Sequence, residues 1–139
     1  MAGPAPTVNV LDIGSGGGFP AIPLAIMKPE WHFTLCESIK KKTNFLNCLV
    51  KELELKNVQI INSRVETLRA MYFDLITTRA VAKLDVLINY SLPLLKKDGY
   101  LLAYKAKDID NEIKNITLPL KIFSKEINGV ERKLVIIQP

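Results

Sequence analysis

The chain has 139 residues, 48% of them hydrophobic, which is enough for one compact domain with its own core. It shows no apolar run of membrane-spanning length and no secretory signal, so we expect a cytoplasmic monomer that binds no membrane. Cys36 and Cys48 are too few for a disulfide framework or a zinc site; we predict no metal and expect both cysteines in the core. The net charge of +5 favours a polyanionic partner without identifying it.

Strand and helix patterns alternate along most of the chain. Residues 1–7 are small and rich in proline, and we interpret them as a linker or a cloning remnant before one domain at residues 8–139. The hydrophobic patterns predict strands at 8–13, 32–37, 58–62, 73–78, 100–104, 120–127 and 132–138. They predict helices at 21–27, 41–54, 83–95 and 108–115, with a helical turn at 66–70.

Short turn signals refine this order. Pro93 is expected to shorten the third long helix, and residues 97–99 form a turn before the fifth strand. Asn128-Gly129 is a strong signal for a two-residue hairpin between the last two strands. The sequence therefore predicts an α/β fold with a doubly wound, mostly parallel, seven-stranded sheet that ends in an antiparallel hairpin.

The stretch DIGSGGGFPAIPLAI, residues 12–26, joins the first strand to the first helix. Glycines at such a turn let a ligand lie against bare backbone at a helix N-terminus. A Walker loop is excluded, because Phe19-Pro20 stands where that loop needs Gly-Lys-Ser/Thr. A dinucleotide fingerprint fits only in a late register, on Gly16, Gly18 and Ala21.

A third pattern, D/E-x-G-x-G-x-G, fits without such a shift. It is the first motif of the class I S-adenosylmethionine-dependent methyltransferases, and it is met by Asp12, Gly14, Gly16 and Gly18. Glu37 ends the second strand about 20 residues further on, where a carboxylate accepts hydrogen bonds from ribose hydroxyls. Enzymes that use NAD share this acidic residue, so it supports an adenosine ligand without choosing between the two cofactors.

The wider sequence resembles the glucose-inhibited division protein B family, the bacterial small-subunit rRNA guanine-N7 methyltransferases. The resemblance extends over most of residues 10–138. It is carried by five blocks in order: DIGSGGGFPAIPLAI (12–26), LCESIKKKTNFL (35–46), NSRVETL (62–68), DLITTRAVAKLDVL (74–87) and GYLLAYKAK (99–107). Ala21 stands where the family usually has glycine. Members of the family carry a helical segment before the first strand that this chain lacks, so the resemblance implies a shortened catalytic core.

The resemblance implies an S-adenosylmethionine-dependent methyltransferase fold and activity, with small-subunit (16S) rRNA or the small ribosomal subunit as substrate. The implied cofactor-binding residues are Asp12, Gly14, Gly16, Gly18, Phe19, Glu37, Val65, Glu66 and Arg79. Arg79 follows the fourth strand and is the candidate catalytic residue, because its guanidinium can bind guanine O6, a phosphate or the cofactor carboxylate. Guanine N7 carries a free lone pair, so its methylation needs positioning and desolvation rather than a general base.

Four lysines are candidates for RNA binding. Lys40, Lys41 and Lys42 stand at the start of the second helix, where positive charge opposes the helix macrodipole, and a solvated turn is the alternative interpretation. Lys105 ends the fifth strand at the same edge of the sheet. Alternative functions are a class I methyltransferase with another RNA or a small-molecule substrate, and a non-catalytic RNA-binding module with a vestigial cofactor pocket. An NAD oxidoreductase fits the proline-rich helix start poorly.

Overall fold

A computed structural model describes residues 7–79, 82–105 and 109–139 of the chain. Its strands are β1 (Asn9–Ile13), β2 (His32–Glu37), β3 (Val58–Asn62), β4 (Phe73–Arg79), β5 (Leu95–Lys105), β6 (Leu120–Ile127) and β7 (Val130–Ile137). Its helices are α1 (Ala21–Met27), α2 (Lys40–Glu52), α3 (Leu84–Ser91) and α4 (Asp110–Ile113). Single 3-10 turns lie at Val65–Thr67 and Leu92–Leu94. None of the helices in these ranges is both long and apolar enough to cross a bilayer.

The strands form one seven-stranded sheet in the order β3-β2-β1-β4-β5-β7-β6. The first five strands in this order run parallel, whereas β7 is antiparallel to both of its neighbours. The predicted α/β fold, with its parallel sheet and C-terminal hairpin, is confirmed. Since β1 pairs with both β2 and β4, the strand order reverses at β1, and the carboxyl ends of these three strands lie side by side.

Pro93 ends the third helix early, as predicted: α3 stops at Ser91 and the 3-10 turn follows. The predicted turn at 97–99 is wrong, because these residues form an irregular part of a longer β5. Phe73 pairs with Leu95 and Leu75 with Tyr100, so β5 bulges between the two pairs, and Asp98 has a φ of 67° there. A bulge takes up extra residues without ending the strand.

Smaller differences occur at other element ends. β4 extends through Arg79, which the sequence placed just beyond the strand. The predicted helix at 108–115 is a four-residue α4, and residue 108 itself lies outside the described residues, as do residues 1–6 of the predicted linker. β7 begins at Val130, directly after the hairpin turn, in which Asn128 and Gly129 have the positive φ values of a type I′ turn.

Two hydrophobic clusters pack on the two faces of the sheet. One joins Val10 and Leu35 to α1 and to Leu46 of α2. The other packs Leu84 and Leu87 of α3 against the central strands and β7. The apolar residues at the outer part of the first face belong to neither cluster, and they are Tyr100, Leu102, Tyr104, Leu134 and Ile136.

We expect Gly18→Ala to lower the free energy of unfolding by about 2 kcal/mol. Gly18 has a φ of +95°, and a Cβ there would lie 2.8 Å from Cγ1 of Ile22 in the first turn of α1. Gly17 is the matched control, because a Cβ at that position meets nothing within 4 Å. Urea denaturation of both variants measures the difference, and equal losses would show that the close approach of the loop to α1 does not limit stability.

Candidate functional site

The glycine loop is held at the carboxyl edge of the sheet by hydrogen bonds to β2. The Gly14 N–H donates to the carbonyl of Cys36 at 2.8 Å, and the Gly16 N–H donates to Oε1 of Glu37 at 3.0 Å. The other carboxylate oxygen, Oε2, accepts the N–H of Ile39 at 2.9 Å. Glu37 is only 5% exposed, so it is a buried brace rather than a solvated strand end. Each oxygen keeps a second lone pair that can accept a hydroxyl group.

Asp12 lies beside this loop, at the end of β1, and is 1% exposed. The hydroxyl of Thr77 on β4 donates to its Oδ1 at 2.6 Å, whereas Oδ2 is buried without a hydrogen-bond partner among the described residues. Burial raises the pKa of Asp12 from 3.8 to about 6, against the Thr77 and Ser15 side chains and the charge of Arg79, which favour the ionised form. A buried carboxylate oxygen that lacks a donor is well suited to a cationic or hydrogen-bonding ligand.

The sequence did not identify Thr77 as a site residue. Its hydroxyl interrupts the apolar run of a central strand, and that interruption is the signal that could have found it. Its partner lies 65 residues away in the chain, so the pairing follows from the β1–β4 register, in which Asp12 and Thr77 are direct neighbours.

A cavity of about 230 Å³ opens next to the loop, at the carboxyl ends of β1, β2 and β3. It brings together Gly14, Val65 and Glu66, three of the expected cofactor residues. A larger hollow of about 430 Å³ lies at the opposite edge, beside the amino ends of the strands. We assign the smaller cavity to the site, because ligands of doubly wound sheets bind outside the carboxyl ends of the strands, at the point where the strand order reverses.

Two further expected cofactor residues, Phe19 and Arg79, are exposed at this edge. The Phe19 side chain is 56% exposed and is not part of the core. Arg79 is the last residue of β4, and its positive charge favours the ionised form of Asp12 and so lowers the pKa of that carboxyl. Among the described residues, no three His, Cys, Asp or Glu side chains are grouped as ligands of a metal ion would be.

The two cysteines have different environments. Cys36 is buried, as expected, and its thiol donates to the carbonyl of Ser63 at 3.2 Å. Burial, followed by the charges of Glu37 and Glu66, raises the pKa of Cys36 to about 11, so this thiol stays protonated and unreactive near neutral pH. The prediction that Cys48 packs in the core is wrong, because its side of α2 faces solvent.

The lysines expected to bind RNA also divide into two groups. Lys40, Lys41 and Lys42 are exposed on the first turn of α2, directly after Ile39, whose N–H donates to Glu37. Lys105 is only 9% exposed, and its ammonium donates to the carbonyl of Ala82 at 2.7 Å and to the Glu112 carboxylate at 3.3 Å. These interior bonds do not fit a contact with an RNA backbone, so Lys105 is corrected to a residue that joins the ends of β5, α4 and the segment before α3.

Two curated proteins that are similar to this chain carry the same name. The ribosomal RNA small subunit methyltransferase G of Polynucleobacter asymbioticus is 40% identical over 148 residues, covering 98% of this chain and 65% of that protein. The protein of the same name from Desulforamulus reducens is 40% identical over 129 residues, covering 89% of this chain and 54% of that protein. This chain therefore spans 54–65% of the length of these relatives.

Solved structures show the same fold at lower identity. Precorrin-6y C5,15-methyltransferase from Geobacter metallireducens has a TM-score of 0.77 at 13% identity, covering 96% of this chain and 81% of that one. A SAM-dependent methyltransferase from Aquifex aeolicus has a TM-score of 0.73 at 16% identity, covering 94% and 81%. These likenesses confirm the Rossmann-like fold of the class I methyltransferases.

The family comparison covers nearly the whole described domain. Residues 4–133 match the family described as rRNA small subunit methyltransferase G (GidB), which includes all five blocks on which the resemblance in the sequence rests. The relatives quoted above carry the same description. The chain thus belongs to the rRNA small subunit methyltransferase G family.

Proposed function

We propose that this chain forms the S-adenosylmethionine-binding, catalytic core, residues 8–139, of a methyltransferase that modifies guanine N7 in small-subunit (16S) rRNA. The observation that carries the proposal is the loop of Gly14 and Gly16, held between Asp12 and Glu37 at the carboxyl edge. This arrangement occurs in a chain that belongs to an rRNA methyltransferase family. The protein would act as a monomer in the cytoplasm, where ribosomal subunits are found.

The residues at this edge suit S-adenosylmethionine. The spare lone pairs of Glu37 can accept the ribose hydroxyls without loss of its bonds to Gly16 and Ile39. The Oδ2 of Asp12, which has no hydrogen-bond partner in the described part of the chain, can stabilise the cationic amino-acid end, directly or through water. Val65 and Glu66 line the cavity on the β3 side and would border the adenine. When bound, the cofactor supplies an electrophilic methyl group on a sulfonium.

The chain's own residues then have to place a guanine in line with that methyl group. N7 uses its lone pair as the nucleophile, so no side chain has to remove a proton first. Arg79 is exposed at the end of β4 and can donate to guanine O6 or to a phosphate while N7 stays free. Lys40, Lys41 and Lys42 would contact the RNA backbone beside the cofactor loop.

We expect calorimetric titration to detect binding of S-adenosylmethionine and not of NAD. Gly16→Val should abolish this binding, because Gly16 has a φ of +52° that a β-branched residue strains to adopt. Methyl transfer to small ribosomal subunits that lack the modification then tests the substrate. Binding of S-adenosylmethionine without transfer to these subunits would favour a different methyl acceptor, and no binding would contradict an enzymatic function.

Arg79→Ala should lower the rate of methyl transfer by about 100-fold while the dissociation constant for S-adenosylmethionine stays within about twofold. The reason is that the guanidinium acts on the guanine, which binds after the cofactor site is formed. Single-turnover transfer and calorimetry measure the two quantities. Lys83→Ala is the matched control, since it removes an exposed cation four residues away. Equal rates for wild type and Arg79→Ala would remove Arg79 from the mechanism.

The affinity for S-adenosylmethionine should fall as the pH falls below about 6. Burial raises the pKa of Asp12 to about 6, and a bound cation next to its carboxylate would favour the ionised form and so lower that pKa. The dissociation constant is then nearly constant around pH 7, where the Asp12 carboxyl is ionised and the α-amino group of the ligand is protonated, and it rises by up to about tenfold per unit below pH 6. Titrations from pH 5 to 8 measure this, and Asp12→Asn should show weaker binding without the slope. A slope that persists in Asp12→Asn would assign the proton to another group.

A further inference from the structure

The hairpin of β6 and β7, which we call the arm (residues 120–137), extends beyond the carboxyl edge of the sheet. Among the described residues, the last pair between β5 and β7 is Lys105↔Lys133, whereas β6 and β7 pair for three more positions, as far as Ile127↔Val130. At about 3.3 Å per residue, these three positions extend the arm roughly 10 Å past the level of Lys105. It therefore stands next to the edge where Arg79 ends β4.

The strand register assigns each arm residue to one of two faces. Phe123 pairs with Leu134, Leu134 pairs with Tyr104, and Tyr104 pairs with Arg79, so these four side chains form one row on one face of the sheet. Alternation along the strands places Lys121, Lys125 and Arg132 on this same face, which we call the Arg79 face. The opposite face of the arm carries Ser124, Glu126, Glu131 and Lys133.

The two faces of the arm carry different charges: Lys133 forms an ion pair with Glu131 at 3.9 Å on one face, whereas the Arg79 face carries cations alone. Lys125 lies directly opposite Arg132, and Glu126 lies directly opposite Glu131. Like charges directly opposite each other destabilise an antiparallel pair, and exchange of one residue from each pair would give two attractive pairs. The arm residues on the Arg79 face include three cations and no acid, all in a fully described segment. This arrangement weakens the isolated hairpin and creates a surface for an anion.

Exposed aromatic rings accompany these cations. Phe123 is 57% exposed and Tyr104 is 44% exposed, in the same cross-strand row. They are separated by two strand spacings, or about 10 Å. Tyr104 and Leu134 also lie outside both hydrophobic clusters of the fold. Aromatic side chains between basic residues are the combination that binds single-stranded nucleic acid, with bases stacked on the rings and phosphates bound by the cations.

We propose that the Arg79 face of the arm is an RNA-docking surface. Lys121, Lys125 and Arg132 bind phosphates of a single-stranded segment, and Phe123 and Tyr104 stack unpaired bases of the same segment. The row from Phe123 to Arg79 then leads the RNA from the arm to the catalytic edge. This inference rests on the proposed function, because it takes RNA as the substrate. Cations of the arm then make the contacts with RNA phosphates that the sequence had assigned to Lys105.

The test is fluorescence anisotropy with a labelled RNA stem-loop that has a guanine in its loop. The double variant Lys125→Ala/Arg132→Ala should bind at least about 10-fold more weakly at 0.1 M salt. Its slope of log affinity against log salt should be shallower by about 1.5, the value for two phosphate contacts. Phe123→Ala should lose about 10-fold in affinity with an unchanged slope, since stacking involves no counterion release. The conservative double variant Lys125→Arg/Arg132→Lys should keep wild-type affinity.

Lys51→Ala/Lys56→Ala is the matched control, because it removes the same charge from exposed positions near the end of α2 and the loop after it. Calorimetry with S-adenosylmethionine should give wild-type affinity for every variant, which shows that each one is folded. Equal RNA affinity and slope in wild type and Lys125→Ala/Arg132→Ala would overturn the proposal, as would an equal loss in the control. If the wild type binds S-adenosylmethionine but no RNA, both the arm proposal and the RNA substrate are wrong, whereas the cofactor assignment stands.

Discussion

The buried carboxylate of Glu37 is the interaction on which the cofactor edge depends. Its two oxygens accept the N–H groups of Gly16 and Ile39, and so connect the glycine loop after β1 to the start of α2. Its backbone carbonyl accepts bonds from Asn62 and Ser63 at the end of β3. One residue at the end of β2 thereby orders segments from three other elements. Hydrogen bonds from backbone N–H groups to a buried carboxylate are strong, so they hold the glycine loop in its conformation without a ligand.

Asp12, at the same edge of the sheet, differs from Glu37 in its hydrogen bonding. Glu37 has partners for both oxygens, whereas Asp12 is buried with one oxygen bonded to Thr77 and the other without a partner among the described residues. The pKa of Asp12 is raised as a result, because burial disfavours its charged form more than Thr77 and Arg79 favour it. Both oxygens of Glu37 are hydrogen-bonded, whereas one oxygen of Asp12 has no partner among the described residues. This pair of carboxylates suits a ligand with hydroxyl groups at one end and a cation at the other.

Local signals were enough to predict the order of elements and the ligand loop. Glycine, proline and the Asn128-Gly129 turn act on the backbone where they stand, and the apolar periodicity of each strand or helix lies within a few residues. The errors occur where a side chain finds its partner far along the chain or where a helix face was misjudged. Lys105 looks like a surface cation at a strand end, but Ala82 and Glu112 enclose its ammonium. The turn expected at 97–99 became a bulge because β4 continues to pair on both sides of it.

The sequence by itself therefore determined the fold class, the glycine loop with Asp12 and Glu37, and the family, since these depend on short motifs and on their order. Only the tertiary structure decided which residues meet. Asp12 reaches Thr77 because β1 and β4 are neighbours in register, and Phe123 shares a row with Arg79 because three strand pairings align them. A shift of one residue in any of these registers would move the side chains to the opposite face. The Asn128-Gly129 turn fixes the register of β6 with β7 locally, but the registers of the other pairs arise from the packing of the whole sheet.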